Sequence, residues 1–303
     1  MSSEQLGKLL LLSLVWGGSF LFSGMAVVYV HPLWLVTIRV TLAAVVMLLV
    51  LRYLRIPLPQ NLPEWLAYLG MGVLNNVIPF TAIFYAQTFI SVSLASIINA
   101  MTPVFTFLVL AAFKVETLSV NRVCGALVGI GGTVMLFAEQ VSLAETASVG
   151  LLLGLLGALG YAFASLWGKL FLQGQPPVKA ATSQLLSSAV VMLVLVTLLQ
   201  VPLPPSMPPM TIIAAILALA LLSTAFAYVL FFDIFAKSGP SNAMLVTLLV
   251  PISASLLGWL VMGDQLSLMQ ICGALIIGLG LVIIDGRLLK KLTQPNSGES
   301  QQS

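Results

Sequence analysis

The sequence predicts an all-α polytopic membrane protein. Ten transmembrane helices are expected, as two inverted five-helix repeats with both termini cytoplasmic. Three observations predict this. Of 303 residues, 60% are hydrophobic and only 7% charged, against about 25% charged in an ordinary soluble domain. Apolar runs of about 20 residues, each long enough to cross a bilayer, recur ten times between Pro, Gly or charged residues. The second half of the chain also repeats the first at a constant offset.

The first run, 8–27, follows Lys8 and continues through Trp16-Gly17-Gly18 with no small-x-small cleavage site, so it reads as a retained helix. The second, 33–52, opens after Pro32, contains Arg39, and ends at Arg52 and the turn Arg55-Ile56-Pro57-Leu58-Pro59. The third, 65–87, carries Asn75, Asn76 and Pro79, and the fourth, 91–112, carries Asn99 and Pro103. The fifth, 119–138, contains the GxxxG of Gly125 and Gly129; the sixth, 149–169, has glycines at 150, 154, 157 and 160. Such stripes let helices approach closely, within the monomer first and in a possible homodimer second. The seventh, 180–200, ends at Pro202-Leu203-Pro204-Pro205, and the eighth, 210–233, ends at Asp233. The ninth and tenth, 239–262 and 268–286, flank Asp264, and the polar tail 287–303 is expected to be cytoplasmic and disordered.

An even number of spans puts both termini on one side, and the basic residues choose it. Lys8, Arg52, Arg55, Lys114, Arg122, Lys169, Lys179, Lys237, Arg287, Lys290 and Lys291 fall on one side, while the opposite loops hold only Glu139, Glu145, Asp264 and His31. By the positive-inside rule the basic side is cytoplasmic. Only Arg39 stands inside a span. The net charge of +3, with no basic patch beyond this face, gives no reason to expect nucleic-acid binding.

At an offset of 148 positions, Ser93, Ala95, Pro103, Leu118, Ser119, Cys124, Gly125 and Gly132 coincide with Ser241, Ala243, Pro251, Leu266, Ser267, Cys272, Gly273 and Gly280, and Glu116 falls opposite Asp264. Five spans per unit is odd, so residues 1–138 and 149–286 enter the membrane from opposite sides. This inverted repeat is the architecture of many secondary transporters, with the site near the midplane. Inverted duplication also occurs in channels and membrane enzymes. Cys124 and Cys272 fall at opposite faces, too far apart for a disulfide, and read as small packing residues.

Several of these residues together carry a family resemblance. Trp16-Gly17-Gly18-Ser19-Phe20, Arg39, Ser93-Leu94-Ala95-Ser96 before Pro103, and Glu116 ahead of Gly125 and Gly132 recur in part at Asn242-Ala243, Pro251, Asp264 and Gly273. In this order and spacing the chain resembles the drug/metabolite transporter superfamily in its ten-helix EamA type. The resemblance covers all but the tail. It implies export of small metabolites, often amino acids or related amphipathic compounds, across a bacterial inner membrane.

The candidate pathway residues are Trp16, Phe20, Arg39, Asn75, Asn76, Asn99, Tyr161, Thr224, Tyr228 and Thr247, with Pro103 and Pro251 as hinges. Arg39 is the sharpest: a charge at membrane depth faces a partner or a wet cavity. It reads either as a structural anchor or as a substrate or gate contact. Proline removes a hydrogen bond and frees the carbonyl four residues earlier, here those of Asn99 and Thr247, so each repeat sets a polar side chain beside free backbone. That arrangement serves a packed kink or a cavity-lining hinge. Asn75 and Asn76 align with Ser223 and Thr224, and Trp16, Phe20, Tyr161, Trp167 and Tyr228 offer aromatic walls suited to an organic solute.

No HExxH, Walker A or Cys/His cluster is present, and no acid falls near the centre of a span. The expectations are therefore no catalysis, no metal and no cofactor. The partners expected are a small-molecule substrate and the lipid bilayer, with the chain a monomer or a homodimer. The function expected is secondary transport by alternating access, with a non-transporting scaffold, a lipid-handling protein or an ion channel as the alternatives.

Overall fold

The computed structural model describes residues 3–117, 120–143, 145–238 and 246–285. Leu118, Ser119, Ser241, Asn242, Ala243 and the tail from Arg287 lie outside them, as does the side chain of Thr247. Every regular element among the described residues is helical: α1 (Ser3–Ala26), α2 (Pro32–Tyr53), α3 (Leu62–Gly72), α4 (Ile78–Ala86), α5 (Val92–Asn99), α6 (Thr102–Ala112), α7 (Val120–Leu143), α8 (Glu145–Phe171), α9 (Pro177–Leu198), α10 (Met210–Ala220), α11 (Ala227–Ser238), α12 (Val246–Leu257) and α13 (Leu268–Asp285). Turns of π-helix at Val73–Val77 and Leu221–Phe226 fuse α3 to α4 and α10 to α11, and a third at Gly258–Met262 extends α12.

Seven of the resulting helical rods are long and apolar enough to cross a bilayer. Three shorter apolar helices, Val120–Met135, Leu249–Met262 and Leu268–Ile284, fall where the fifth, ninth and tenth spans are expected. The protein is an all-helical, multi-pass membrane protein.

Helix starts follow local side-chain chemistry. Asn61 accepts from the Glu64 N–H at 2.9 Å while Glu64 Oε2 accepts from the Gln60 N–H, a near-reciprocal cap for α3. Ser267 and Gln270 form the reciprocal pair ahead of α13. His31 caps α2, its Nδ1 accepting from Leu33 N–H at 3.3 Å, with Pro32 at the first turn. α1 begins five residues before the expected start, because Glu4 and Lys8 pair one turn apart at 2.7 Å.

The fourth span departs most from expectation. Instead of a single kinked helix, α5 and α6 are separate helices joined through Ala100 and Met101, and Pro103 stands in the first turn of α6. The free carbonyl of Asn99 is taken by the Thr102 hydroxyl at 2.8 Å. Its counterpart Pro251 lies inside the continuous helix α12. The two prolines therefore occupy matching places in sequence but different local structures.

Glycines set the closest helix approaches. A Cβ on Gly125 would meet the Gly280 carbonyl at 2.6 Å, and one on Gly132 the Gly273 carbonyl at 2.8 Å, so α7 and α13 cross antiparallel with backbones touching. Each contact is the counterpart of the other in the 148-residue register. Gly17 lies against Ser253 and the Ala254 N–H, and Ser253 Oγ donates to the Ser13 carbonyl at 2.7 Å, joining α1 to α12. The sixth-span stripe packs inside the chain, with Gly150 and Gly154 against Ile90 and Ile98 and Gly157 and Gly160 against Ile83 and Pro79.

Ion pairs gather at the helix ends that carry the basic residues. Lys8 also reaches Asp233 at 2.6 Å, Asp233 meets Lys237 at 2.7 Å, and Glu64 pairs with Lys179. Between α6 and α7, Glu116 is held by Lys169 of α8 and by Arg122 at 2.7 Å. The Lys169 ammonium, bonded to it, is the chief cause holding the Glu116 carboxyl below the ordinary carboxylate range, with Arg122 adding to the effect.

Two outcomes follow for purified protein in detergent. Gly280→Ala puts a methyl against the Gly125 carbonyl at 2.6 Å and the Gly129 N–H at 2.7 Å. It lowers the melting temperature by several degrees, on the scale of about 1–3 kcal/mol for overpacking. Gly278→Ala meets nothing within 4 Å and does not lower it. Because the folded-state pKa of Glu116 is depressed, its contribution is complete above the unfolded carboxylate range and is lost as pH falls through the lowered value. The melting-temperature gap between wild type and Glu116→Gln is therefore widest near neutral pH and closes in acid, as a pH series of thermal melts will read.

Candidate functional site

A π turn inserts one residue into a helix and shifts its hydrogen-bond ladder, exposing backbone that side chains must then satisfy. The π turns between α3 and α4 and between α10 and α11 hold the polar pairs singled out in the sequence: Asn75 and Asn76 in the first, Ser223 and Thr224 in the second. The backbone needs are met locally. Gly72 O accepts from Ser188 Oγ at 3.1 Å, and Leu219 O accepts from Thr224 Oγ1 at 2.9 Å. Ser223 Oγ donates to the Val15 carbonyl of α1 at 2.7 Å. Gly72 allows this geometry, since a Cβ there would meet the Gln184 carbonyl at 2.7 Å.

Arg39, 6% exposed, projects from α2 into the bundle. Its Nε donates to Thr224 Oγ1 at 3.0 Å, and its guanidinium lies 3.7 Å from the centre of the Phe80 ring and 5.6 Å from that of Phe84. Phe80 and Phe84 stand one turn apart on α4 with nearly parallel rings, so they form a continuous wall facing the cation. Among the described residues the bond to Thr224 is its one hydrogen bond, and no acidic side chain pairs with it. The side chain neither snorkels to a helix end nor caps one.

Beside it lies a cluster of neutral polar groups. Asn75 Nδ2 is 3.4 Å from both Gln184 Oε1 and the Tyr228 hydroxyl, and Gln184 Nε2 is 3.5 Å from the same hydroxyl. Tyr228 donates to Asn76 Oδ1 at 3.4 Å, while Asn76 Nδ2 donates to Ser188 Oγ at 2.9 Å. The contacts around Tyr228 are longer than the usual 2.7–3.2 Å. These groups are close enough to exchange partners without being locked to one another.

Beyond this centre, the face opposite the basic ends is held by hydrogen bonds. Asp264 Oδ2 accepts from the Ser93 N–H at 3.0 Å and from its hydroxyl at 2.9 Å, at the start of α5. Gln87 accepts from Ser23 at 2.6 Å and donates to the Phe20 carbonyl at 2.8 Å, joining the end of α4 to α1. On the basic face α1 and α11 are joined through Lys8 and Asp233.

Of the sequence candidates, Arg39 and Thr224 meet directly, and Asn75, Asn76 and Tyr228 form one cluster. Tyr161 is partly buried against the core and shares no hydrogen bond with Arg39 among the described residues. Trp16 packs against Phe231 with ring centres 5.6 Å apart, and Phe20 is buried in the core. Asn99 stands at the α5–α6 break with its Oδ1 buried and unpartnered. Thr247 belongs to α12, its side chain outside the described residues. Three members of the centre were missed: Phe80, Gln184 and Ser188. The signal for the last two was available, since Gln184 and Ser188 are spaced one helical turn apart in a polar stretch, with Thr182, Ser183 and Ser187, near the start of the seventh span.

The EamA-like transporter family matches the chain twice, over residues 6–138 and 148–285. The uncharacterized transporter YoaV of Bacillus subtilis is 24% identical over 270 residues, covering 89% of this chain and 92% of that protein. An uncharacterized transporter of Archaeoglobus fulgidus is 22% identical over 277 residues, covering 89% and 94%. A solved crystal structure shares the fold with a TM-score of 0.66 at 21% identity, over 95% of this chain and 99% of the other. The chain belongs to the EamA-like transporter family, of the drug/metabolite transporter superfamily, and is a membrane transporter.

Proposed function

We infer that the protein is a secondary transporter that exports small metabolites, amino acids or related amphipathic compounds, by alternating access. Two inverted five-helix repeats, 1–138 and 149–286, enclose the site. Ten spans cross a bacterial inner membrane with both termini cytoplasmic. The observation that carries this reading is the division of the polar centre between the halves. Arg39, Asn75, Asn76 and Phe80 come from the first, Gln184, Ser188, Thr224 and Tyr228 from the second, and the bonds from Arg39 to Thr224, from Asn75 to Tyr228 and from Asn76 to Ser188 all cross between them.

Other features support the same reading. The family matches each half separately. The paired contacts Gly125–Gly280 and Gly132–Gly273 are what a two-fold axis between α7 and α13 generates. The segregation of Lys and Arg supports this orientation. Rocking of one half against the other then exposes the centre alternately, opening the Asp264–Ser93 side in one state and the Lys8–Asp233 side in the other. The α5–α6 break at Ala100 and Met101, beside Pro103, is the hinge of the first half, and Pro251 marks its counterpart.

A single cysteine tests the mechanism. In a background with Cys124 and Cys272 replaced by Ser, Asn99→Cys is expected to react with membrane-impermeant thiol reagents in both right-side-out and inside-out vesicles. Reactivity confined to one side overturns alternating access at this position. A comparison of extracellular metabolites from cells overproducing the protein and cells lacking it tests export. The expected result is a small set of metabolites raised outside the overproducing cells, and no difference overturns the export reading.

A further inference from the structure

Arg39 is a permanent cation, since a guanidinium does not lose its proton in proteins. It is buried, its one hydrogen bond among the described residues is to a neutral hydroxyl, and Phe80 covers one face at 3.7 Å. Asn75, Gln184 and Tyr228 bring neutral amides and a phenol to the neighbouring cluster, but no carboxylate. A lone buried charge in a bilayer is costly, and in membrane proteins such a group ordinarily pairs with an opposite charge or with backbone carbonyls, or faces a watery cavity; among the described residues Arg39 has neither an acid nor a carbonyl as a partner.

We propose, resting on the transporter reading above, that the partner is the substrate: the protein carries an organic monoanion, a carboxylate on an apolar body, and moves it as an electrogenic uniporter. The guanidinium fork matches a carboxylate in shape and charge. One cation balances one negative charge, so a doubly charged phosphate monoester would keep an uncompensated charge in the centre. An ammonium would face Arg39 with only neutral acceptors to receive it. Cations are therefore selected against, and within the class proposed above the anionic compounds related to amino acids are preferred to the zwitterionic amino acids themselves.

The same charge accounts for a driving force without a proton relay. In a complete cycle the protein returns to its starting state, so the net charge moved is that of the substrate alone, whatever Arg39 does on the way. The cytoplasm is the negative side of an energised inner membrane, and the potential drives an anion outward. A potential of 100 mV corresponds to about a 50-fold concentration ratio for one charge. Export of a monoanion needs no acidic residue at mid-membrane, and the sequence places none there.

The test uses phenylpyruvate, phenylalanine and phenethyltrimethylammonium, which share an aromatic body and differ in charge. With the full chain in detergent, ligand-induced thermal shifts are expected to show phenylpyruvate binding at least tenfold more tightly than the other two. Arg39→Gln should abolish that preference and Arg39→Lys should restore part of it. In proteoliposomes with valinomycin and a potassium gradient, efflux of labelled phenylpyruvate should rise with inside-negative potential. Its steady-state ratio should approach the 50-fold figure per 100 mV, with no response to a proton gradient imposed at zero potential.

Phenylpyruvate binding no tighter than the other two overturns the proposal, and so does a steady-state ratio set by pH or indifferent to voltage. These wild-type measurements stand even where Arg39→Gln fails to fold. The two readings fail separately. Transport of phenylalanine without voltage dependence removes the anion inference and keeps the transporter; absence of flux for every solute in a wide panel removes the transporter reading itself.

Discussion

Inside a bilayer, protein supplies the partners that water supplies elsewhere, and that constraint shapes the centre of this molecule. Three departures from regular α-helix are each matched by a side chain placed to satisfy them. Ser188 takes up the Gly72 carbonyl, Thr224 the Leu219 carbonyl and Thr102 the Asn99 carbonyl. The same Thr224 hydroxyl accepts from Arg39 at 3.0 Å. One residue thus serves the backbone of the second half and the charge of the first. The halves are bonded at the points where their helices are least regular, so any relative motion must exchange these bonds rather than merely slide apolar surfaces.

The sequence made the segments and the polar pairs legible but not their local geometry. Asn75-Asn76 and Ser223-Thr224 stand out because they interrupt apolar runs at the same position in both halves. That each pair occupies a π turn is not readable. A span apolar on nearly all sides has no amphipathic stripe from which a change of helical period could be detected. Arg39 was visible as a charge, but its direction was not: the choice between snorkelling outward and turning inward is made by Thr224, Phe80 and Phe84, distant in sequence.

Proline illustrates a second limit. Pro103 and Pro251 align, and the expectation of two equivalent kinks followed from backbone chemistry alone. Thr102 supplies a hydroxyl that lets the chain stop and restart at Asn99, so the first half breaks into α5 and α6. Position 250, the counterpart of Thr102, is a valine with no such group, and α12 runs through its proline. The aligned prolines thus sit in different local structures, and the hydroxyl beside the first has no counterpart beside the second.

The same comparison shows why the two faces do not close alike. The carbonyls of Leu110 and Gly258 occupy equivalent positions and each accepts a bond from five residues on, Val115 to Leu110 at 2.9 Å and Gly263 to Gly258. Past them, Glu116 and Asp264 are also equivalent. A Cβ on Gly258 would meet Asp264 Oδ2 at 2.7 Å and Ser93 Oγ at 2.8 Å, so glycine makes room for the carboxylate to cap α5. In the first half the equivalent position is Leu110, whose side chain is buried among Val109, Ala162 and Leu166. Glu116 turns instead to Arg122 and Lys169. Two acids stand at matching positions of the 148-residue register; a glycine beside one and basic residues beside the other make the first a hydrogen-bonded helix cap and the second part of an ion-pair cluster.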